Sequence, residues 1–242
     1  MILRPLRIAT RFLSRLPVPG DHTVRPGELA ASLAWHPLVG ALIGGLMGLA
    51  ALPMAGLPAL LRGALLTALS PLLTGAMHED ALADAADGLG GGLTRERALE
   101  IMRDSRVGAY GAVAAAAAML LRFAALSSIE PGRLGVALLS AYAVSRVPGV
   151  LLLVALPGAR SDGQAAIEGL RGVHAAFALV IGAGLGLAVA GWTGLAALGL
   201  MLGVTLAWGL YCRQRIGGIT GDLAGAANLL VELGVLVLFA GG

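Results

Sequence analysis

The sequence predicts an all-α integral membrane protein. It reads as one polytopic domain over residues 1–242, a helical bundle of about seven transmembrane helices with an N-terminal amphipathic helix and a cytoplasmic acidic helical hairpin. Three observations predict this. Hydrophobic residues make up 57% of the chain and charged residues only 13%, about half the roughly 25% charged content of soluble domains. Several apolar runs reach the length of about 20 residues that a helix needs to cross the hydrocarbon core. The arginines are distributed very unevenly between the loops on the two sides of these runs, as the positive-inside rule requires.

Taken in order, residues 1–29 are moderately polar. Leu3, Leu6, Ile8, Phe12, Leu13 and Leu16 alternate with Arg4, Arg7, Arg11 and Arg15, the pattern of a short amphipathic helix on a membrane surface. The segment LPVPG then stops it. Spans are expected near 30–52, 57–77, 108–128, 134–156, 174–192, 194–211 and 223–241, with a very short joint at 192–194. The 37 glycines and the long alanine runs lie inside these segments, where small residues let membrane helices approach closely.

With seven spans and a cytoplasmic N-terminus, the loops 1–29, 78–107, 157–173 and 212–222 share the cytoplasmic side and hold most of the arginines, while the other side holds little beyond Arg133 and Arg62. Every polar loop long enough for chemistry therefore falls on one face. In the loop 78–107, the acidic helix ends at Gly88 and the run Gly90, Gly91 and Gly92. A second helix is expected over Thr94–Arg106, with Thr94 as its N-cap.

Composition also excludes classes. A single cysteine, Cys212, rules out an internal disulfide and any cysteine-based metal site. The net charge of +3 is scattered over loops without an aromatic stacking set, so nucleic acid is not an expected partner. The first residues lack the short apolar core and cleavage site of a signal peptide.

The most informative stretch is MHEDALADAADGLGGG, residues 77–92. Half of the chain's 14 acidic residues crowd into the loop 78–107. Asp80, Asp84 and Asp87 stand at i, i+4 and i+7, one face of a helix. Carboxylates so placed repel unless a cation sits among them, and a hard divalent ion that keeps positions for substrate phosphates is the simplest candidate. The bland alternative is a solvated acidic face near a helix N-terminus. His78 stands at the membrane end of this face.

The second half of the hairpin, RALEIMRDSRVGAYG, carries Glu100 and Asp104 flanked by Arg103 and Arg106. These are either i,i+4 pairs on a wet helix or a phosphate grip with a carboxylate positioned to take a proton. Ser105 would act as a nucleophile only beside a base, and none is evident.

Arg122, Arg146 and Glu232 fall within expected spans, where ionisable groups mark a cavity or an internal pair. Pro148, two residues after Arg146, is expected to kink its helix. Asp222 starts the last helix, as an N-cap or as a further ligand on the acidic helix's side. His36 reads as structural, and His22 and His174 have no partners identifiable in sequence.

Together these residues resemble one family, cobalamin-5'-phosphate synthase, also called adenosylcobinamide-GDP ribazoletransferase. HEDALADAADGLGGG looks like its H-x-D-G-L-A-D-T-A-D-G signature, and EIMRDSRVGAYG like its E-I-M-(K/R)-D-S-R-(I/V)-G-x-(F/Y)-G signature, in the same order and at the same gap. FLSRLPVPG, Ser145–Arg146 and the G-D-x-x-G-A of Gly221 to Ala226 add to the match, which covers essentially the whole chain. Glu79 departs from the family's usual apolar residue, Ala81 from glycine and Ala85 from threonine, and Leu229 stands where a glutamate is often found.

The resemblance implies transfer of the cobinamide phosphate of adenosylcobinamide-GDP to alpha-ribazole or its 5'-phosphate, with release of GMP. It also implies magnesium as cofactor and a place in the bacterial inner membrane among its lipids. The expected site has Asp80, Asp84 and Asp87 as metal ligands, and Asp84 and Asp104 as catalytic groups, Asp104 taking the ribose hydroxyl proton. His78, Arg103, Arg106, Arg146 and Asp222 are expected to hold substrate and its phosphates. The competing readings are a membrane phosphotransferase of the CDP-alcohol kind, whose D-G-x-x-A-R pattern fails at Asp84, and a transporter, against which the clustered acids argue. Oligomeric state is left open by the sequence.

Overall fold

The computed structural model describes residues 3–160 and 167–242; positions 161–166 of the expected loop 157–173 lie outside the described residues. Among the described residues the elements are helices, with one isolated bridge between Gly158 and Ile219 in place of a sheet.

The first helix, α1 (Leu3–Leu13), has the expected amphipathic face. Protein rather than lipid covers part of that face, because Ala9 and Leu13 are buried in the main core with Val39, Ile43 and Met47. The expected first span is two pieces, α2 (Glu28–Leu33) and α3 (His36–Ala51), the latter extended by a 3-10 turn at Leu52–Met54. Pro37 explains the break: it has no N–H to give the carbonyl of Leu33 and serves instead in the first turn of α3.

The next apolar stretch is also interrupted. Helix α4 (Ala59–Thr74) ends at Gly75, whose φ is 71°, and α5 (Met77–Gly91), the acidic helix, leaves at 88° to it. Ala76 joins them with φ 57° and is the only non-glycine with positive φ among the described residues, a conformation that strains an L side chain.

Helix α6 (Arg95–Ile101) begins as expected, the Thr94 hydroxyl accepting from the Arg97 N–H at 3.2 Å. It ends at Ile101 rather than near Arg106. Arg103 and Asp104 donate to the carbonyls of Glu100 and Ile101, and the Asp104 side chain accepts from the Arg106 N–H, so the chain turns toward α7 (Ala109–Ser128).

Helices α8 (Pro131–Val144) and α9 (Val147–Ala155) make one broken span, parted at Ser145 and Arg146. Pro148 lacks the N–H that Val144 would need, so the expected kink is present. The expected spans at 174–192 and 194–211 are the arms of α10 (Gly172–Ile216). Forty-five residues would make a straight rod of about 68 Å, twice the hydrocarbon core. Non-helical Gly191, with φ 53°, breaks it. The chain doubles back there, since a Cβ on Gly194 would overlap the carbonyl of Gly186 eight residues earlier. Helix α11 (Gly221–Ala240) closes the bundle. Among the described residues five helices are long and apolar enough to cross, or six if the bent α4–α5 pair is one span; the break of α10 at Gly191 divides one of these, in rough agreement with the expected seven.

Close packing holds the bundle. Gly40, Gly44 and Gly48 repeat every four residues along α3, and a Cβ on either of the first two would overlap backbone of α8 at Tyr142 or Leu138. Side chains at that spacing form one ridge, so its absence lets the two backbones touch.

Candidate active site

Helix α5 stands inside the bundle. At its start Glu79 meets Arg122 of α7 at 2.6 Å, and near its end Asp87 accepts from the N–H groups of Gly108 and Gly111 at 2.7 and 2.8 Å. It therefore runs antiparallel to α7. On its other side it lies against α11, where Gly225 faces Ala81. The hairpin's acidic arm is thus embedded among the helices, and α6 forms the outer arm.

The three aspartates divide their tasks. Asp87 is buried, and each of its carboxylate oxygens takes one backbone N–H at the start of α7, where the helix dipole also favours a negative group. Gly108 and Gly111 are required there because a Cβ on either would strike that carboxylate. Asp80 is exposed to a cavity that Asp222 also lines. Asp84, half-buried between Asp80 and Asp87, interacts electrostatically with both and with Asp222. The compensating charge that acts on it is Arg160, which pairs with Asp222 at 3.3 Å.

Among the described residues no three His, Cys, Asp or Glu side chains are gathered closely enough to enclose a metal by themselves. The donor set still suits one ion. Magnesium is commonly held by one or two carboxylates together with water and substrate phosphates, and Asp80 and Asp84 with Asp222 opposite supply such hard oxygen donors. Asp87 keeps only the lone pairs that its two N–H partners leave free.

Loop arginines lock this end together. Arg95 donates to the carbonyls of Ile216 and Ala159 at 2.7 and 3.0 Å, Arg160 to that of Leu99 at 3.1 Å, and Arg215 to those of Leu93 and Gly92. The polar loops before α6, after α9 and before α11 therefore meet at one end of the bundle, as expected from the sequence.

Arg103 and Arg106 are exposed on the α6–α7 loop. Arg106 forks onto Asp104 with Nε and Nη2 at 3.0 and 2.5 Å. That guanidinium and the Arg106 N–H hold the Asp104 carboxyl down at about 2. Asp104 faces an open groove of about 560 Å³ shared with Asp87, Arg106 and Tyr110, not the cavity of Asp80 and Asp222. A carboxylate so engaged is a poor proton acceptor, and the role expected of it fits the carboxylates of the other cavity better.

Arg146 is buried at the break between α8 and α9. It pairs with Glu232 at 3.0 Å, bonds Ser145 and lies 5.2 Å over the Tyr142 ring. Glu232 also takes Arg122 at 2.8 Å. Glu79, Arg122, Glu232 and Arg146 thus form one chain of alternating charge, and Arg146 is held within it rather than presented to a phosphate. His78 is buried, with Nε2 3.5 Å from the amide of Asn228, and lines the Asp80 cavity.

Sequence reasoning did not assign Arg160 and Asn228, and it read His36 as structural. Asn228 accepts from the Gly149 N–H at 2.8 Å, and His36 lines the same cavity and stacks on Phe12 at 5.5 Å. Asn228 carried a signal: it is the chain's one asparagine, set within an apolar span. His174, for its part, accepts from the Arg171 N–H at its own helix start.

A family model described as cobalamin-5-phosphate synthase matches residues 5–240. Proteins named adenosylcobinamide-GDP ribazoletransferase are similar over nearly the whole chain. The one from Azorhizobium caulinodans is 44% identical over 98% of this chain and 95% of its own length. That from Syntrophobacter fumaroxidans is 42% identical over 94% and 93%, and that from Pseudomonas putida W619 41% over 96% and 97%. No solved structure matches the chain. With its signature acids gathered at one end of a membrane bundle and a match that spans nearly every residue, the chain belongs to the cobalamin-5-phosphate synthase family.

Proposed function

We propose that this protein joins adenosylcobinamide-GDP to alpha-ribazole, or its 5'-phosphate, and releases GMP, giving adenosylcobalamin or its 5'-phosphate. The observation that carries the reading is the placement of Asp80 and Asp84 against Asp222 and Arg160 at one end of the bundle, within a chain matching proteins of that name from end to end.

In the reaction a ribose hydroxyl oxygen (of the nucleoside or its phosphate) bonds to the cobinamide-side phosphorus, and the bond from that phosphorus to the oxygen of GMP breaks. Magnesium, held by Asp80 and Asp84 with Asp222 as a further donor, would supply positive charge for the pyrophosphate and for departing GMP. Arg160, already beside Asp222, offers a guanidinium to the same phosphates. Arg106 lines the neighbouring groove and Arg103 is exposed on the same loop, both suited to the nucleotide end of the large substrate. The hydroxyl proton passes to the carboxylate oxygen of Asp80 that the ion leaves free; Asp80 lines the cavity, whereas Asp222 is engaged by Arg160. Asp87 positions α5 by its grip on α7.

The arginine-rich end faces the cytoplasm by the positive-inside rule, which puts the site on the cytoplasmic side of the bacterial inner membrane. The partners are then the two small-molecule substrates and the surrounding lipid. Asp84→Asn tests the assignment. GMP release from the cobinamide nucleotide with magnesium should disappear, while the protein still purifies from membranes with a parental melting temperature. Turnover near the parental rate would end the assignment of Asp84.

A further inference from the structure

The cavity lined by Asp80 and Asp222 has a second, chemically different end. Its inner part is formed by Phe12, His36, His78 and Asn228 with aliphatic side chains that include Leu33 and Val150. His36 and His78 are both more than nine-tenths buried, and His36 Nε2 and His78 Nδ1 have no hydrogen-bond partner. An unpartnered buried nitrogen of this kind costs about 1–3 kcal/mol, so groups left in this state inside a cavity mark the place of a ligand. The cavity volume is about 210 Å³. A dry cavity of about 150 Å³ already accepts benzene, so this one takes a bicyclic aromatic ring and excludes a corrin macrocycle, which is several times larger.

We infer that this cavity is the binding site of the acceptor nucleoside, with its aromatic base inward and its ribose toward Asp80 and Asp222; the inference rests on the transferase reading above. The base lies against the side of the stacked Phe12–His36 pair that is turned to the cavity, and against Leu33 and Val150. The two orphaned imidazole nitrogens meet polar groups of the nucleoside. Ribose hydroxyls suit them in either tautomer because a hydroxyl both donates and accepts. This orientation sends the reacting ribose oxygen outward to Asp80 and Asp222, where the pyrophosphate of the other substrate arrives from the open side. The larger substrate then never enters the inner cavity, and the two substrates have separable sites.

The test is steady-state GMP release by the detergent-purified full chain, with each substrate varied in turn. His36→Leu and Phe12→Leu should each raise the KM for alpha-ribazole by about tenfold, the size of one lost hydrogen bond or ring contact. The KM for adenosylcobinamide-GDP should stay within about twofold. Val150→Phe, which adds bulk at another lining position and leaves both histidines in place, should do the same, so the outcome does not hang on one variant folding. Equilibrium binding of alpha-ribazole alone to the Asp84→Asn protein should be saturable and weakened by the same three changes. Equal shifts in both KM values, or no shift in either, would overturn the nucleoside site while leaving the reaction intact. A parental enzyme that folds but releases no GMP from these two substrates would overturn the transferase reading, and this inference with it.

Discussion

Glu232→Gln is the sharpest probe of what holds this bundle together. Glu232 is 1% exposed and bridges two arginines that are equally buried, Arg122 at 2.8 Å and Arg146 at 3.0 Å. Glutamine keeps the shape and one acceptor but removes the charge. Two guanidiniums would then share Glu79 alone, and Glu79 touches only Arg122. Breaking a buried pair by removing one partner costs about 3–5 kcal/mol, mostly the stranded charge. At about 2–4 °C per kcal/mol for a chain of this size, the melting midpoint should fall by about 6–20 °C. The assay is thermal unfolding of the detergent-purified protein at one fixed scan rate, because irreversible unfolding makes midpoints depend on that rate. The companion is the double change Glu79→Leu with Arg122→Leu. It removes one cation and one anion together and leaves Glu232 with Arg146. Replacement of a whole buried pair by apolar groups is close to neutral, so the double variant should melt higher than Arg122→Leu alone. A Glu232→Gln protein melting within about 2 °C of the parent, or a double variant as weak as the single arginine change, would refute the argument.

Two further outcomes follow from local geometry. On α3, Gly44→Ala places a methyl into the backbone of α8 whereas Gly45→Ala meets open space, so the first should destabilise by about 1–3 kcal/mol and the second should be neutral or stabilise by up to about 1 kcal/mol; paired melting curves decide. Arg106→Gln should return the Asp104 carboxyl from about 2 toward its ordinary 3.8, read by carbon NMR of labelled aspartate. Because the folded value is depressed, whatever Asp104 adds to the loop's stability is complete above about pH 4 and fades only as pH falls toward 2, so the loop should show no Asp104-linked change between pH 5 and 8.

Much of the fold was legible because its signals are local. Apolar length marks a span wherever it occurs, Pro148 breaks its helix through a missing N–H, and Thr94 caps α6 with its own hydroxyl; the break at Pro37, inside the expected span 30–52, was not anticipated. The acidic face at Asp80, Asp84 and Asp87 was legible for the same reason, since helical spacing alone puts the three together. What stayed hidden depends on partners distant in sequence or on groups that every residue has. Asp87 looks like its two neighbours, yet its partners are backbone N–H groups 21 and 24 residues away, which no side-chain pattern announces. Arg146 could be placed at a kink but not on Glu232, 86 residues further on. The α4–α5 bend turns on Ala76, a residue whose type gives no warning of positive φ.

The buried charges explain why α5 can carry its acids at all. Glu79 and Asp80 are adjacent, and about 100° of helix rotation separates them. One is pulled inward by Arg122 and the other is left to the cavity. Eight residues on, about 12 Å along the helix, Asp87 is fixed to the start of α7. A helix pinned at both ends can neither slide nor roll, so Asp84, which lies between the pins, has its direction set by them. Two glutamates and two arginines sum to zero, so this anchoring places no net charge at depth, where an unpaired charge is costly. Glu79 therefore has a definite task in this chain: it completes the neutralisation of Arg122 and fixes the rotation of the acidic helix.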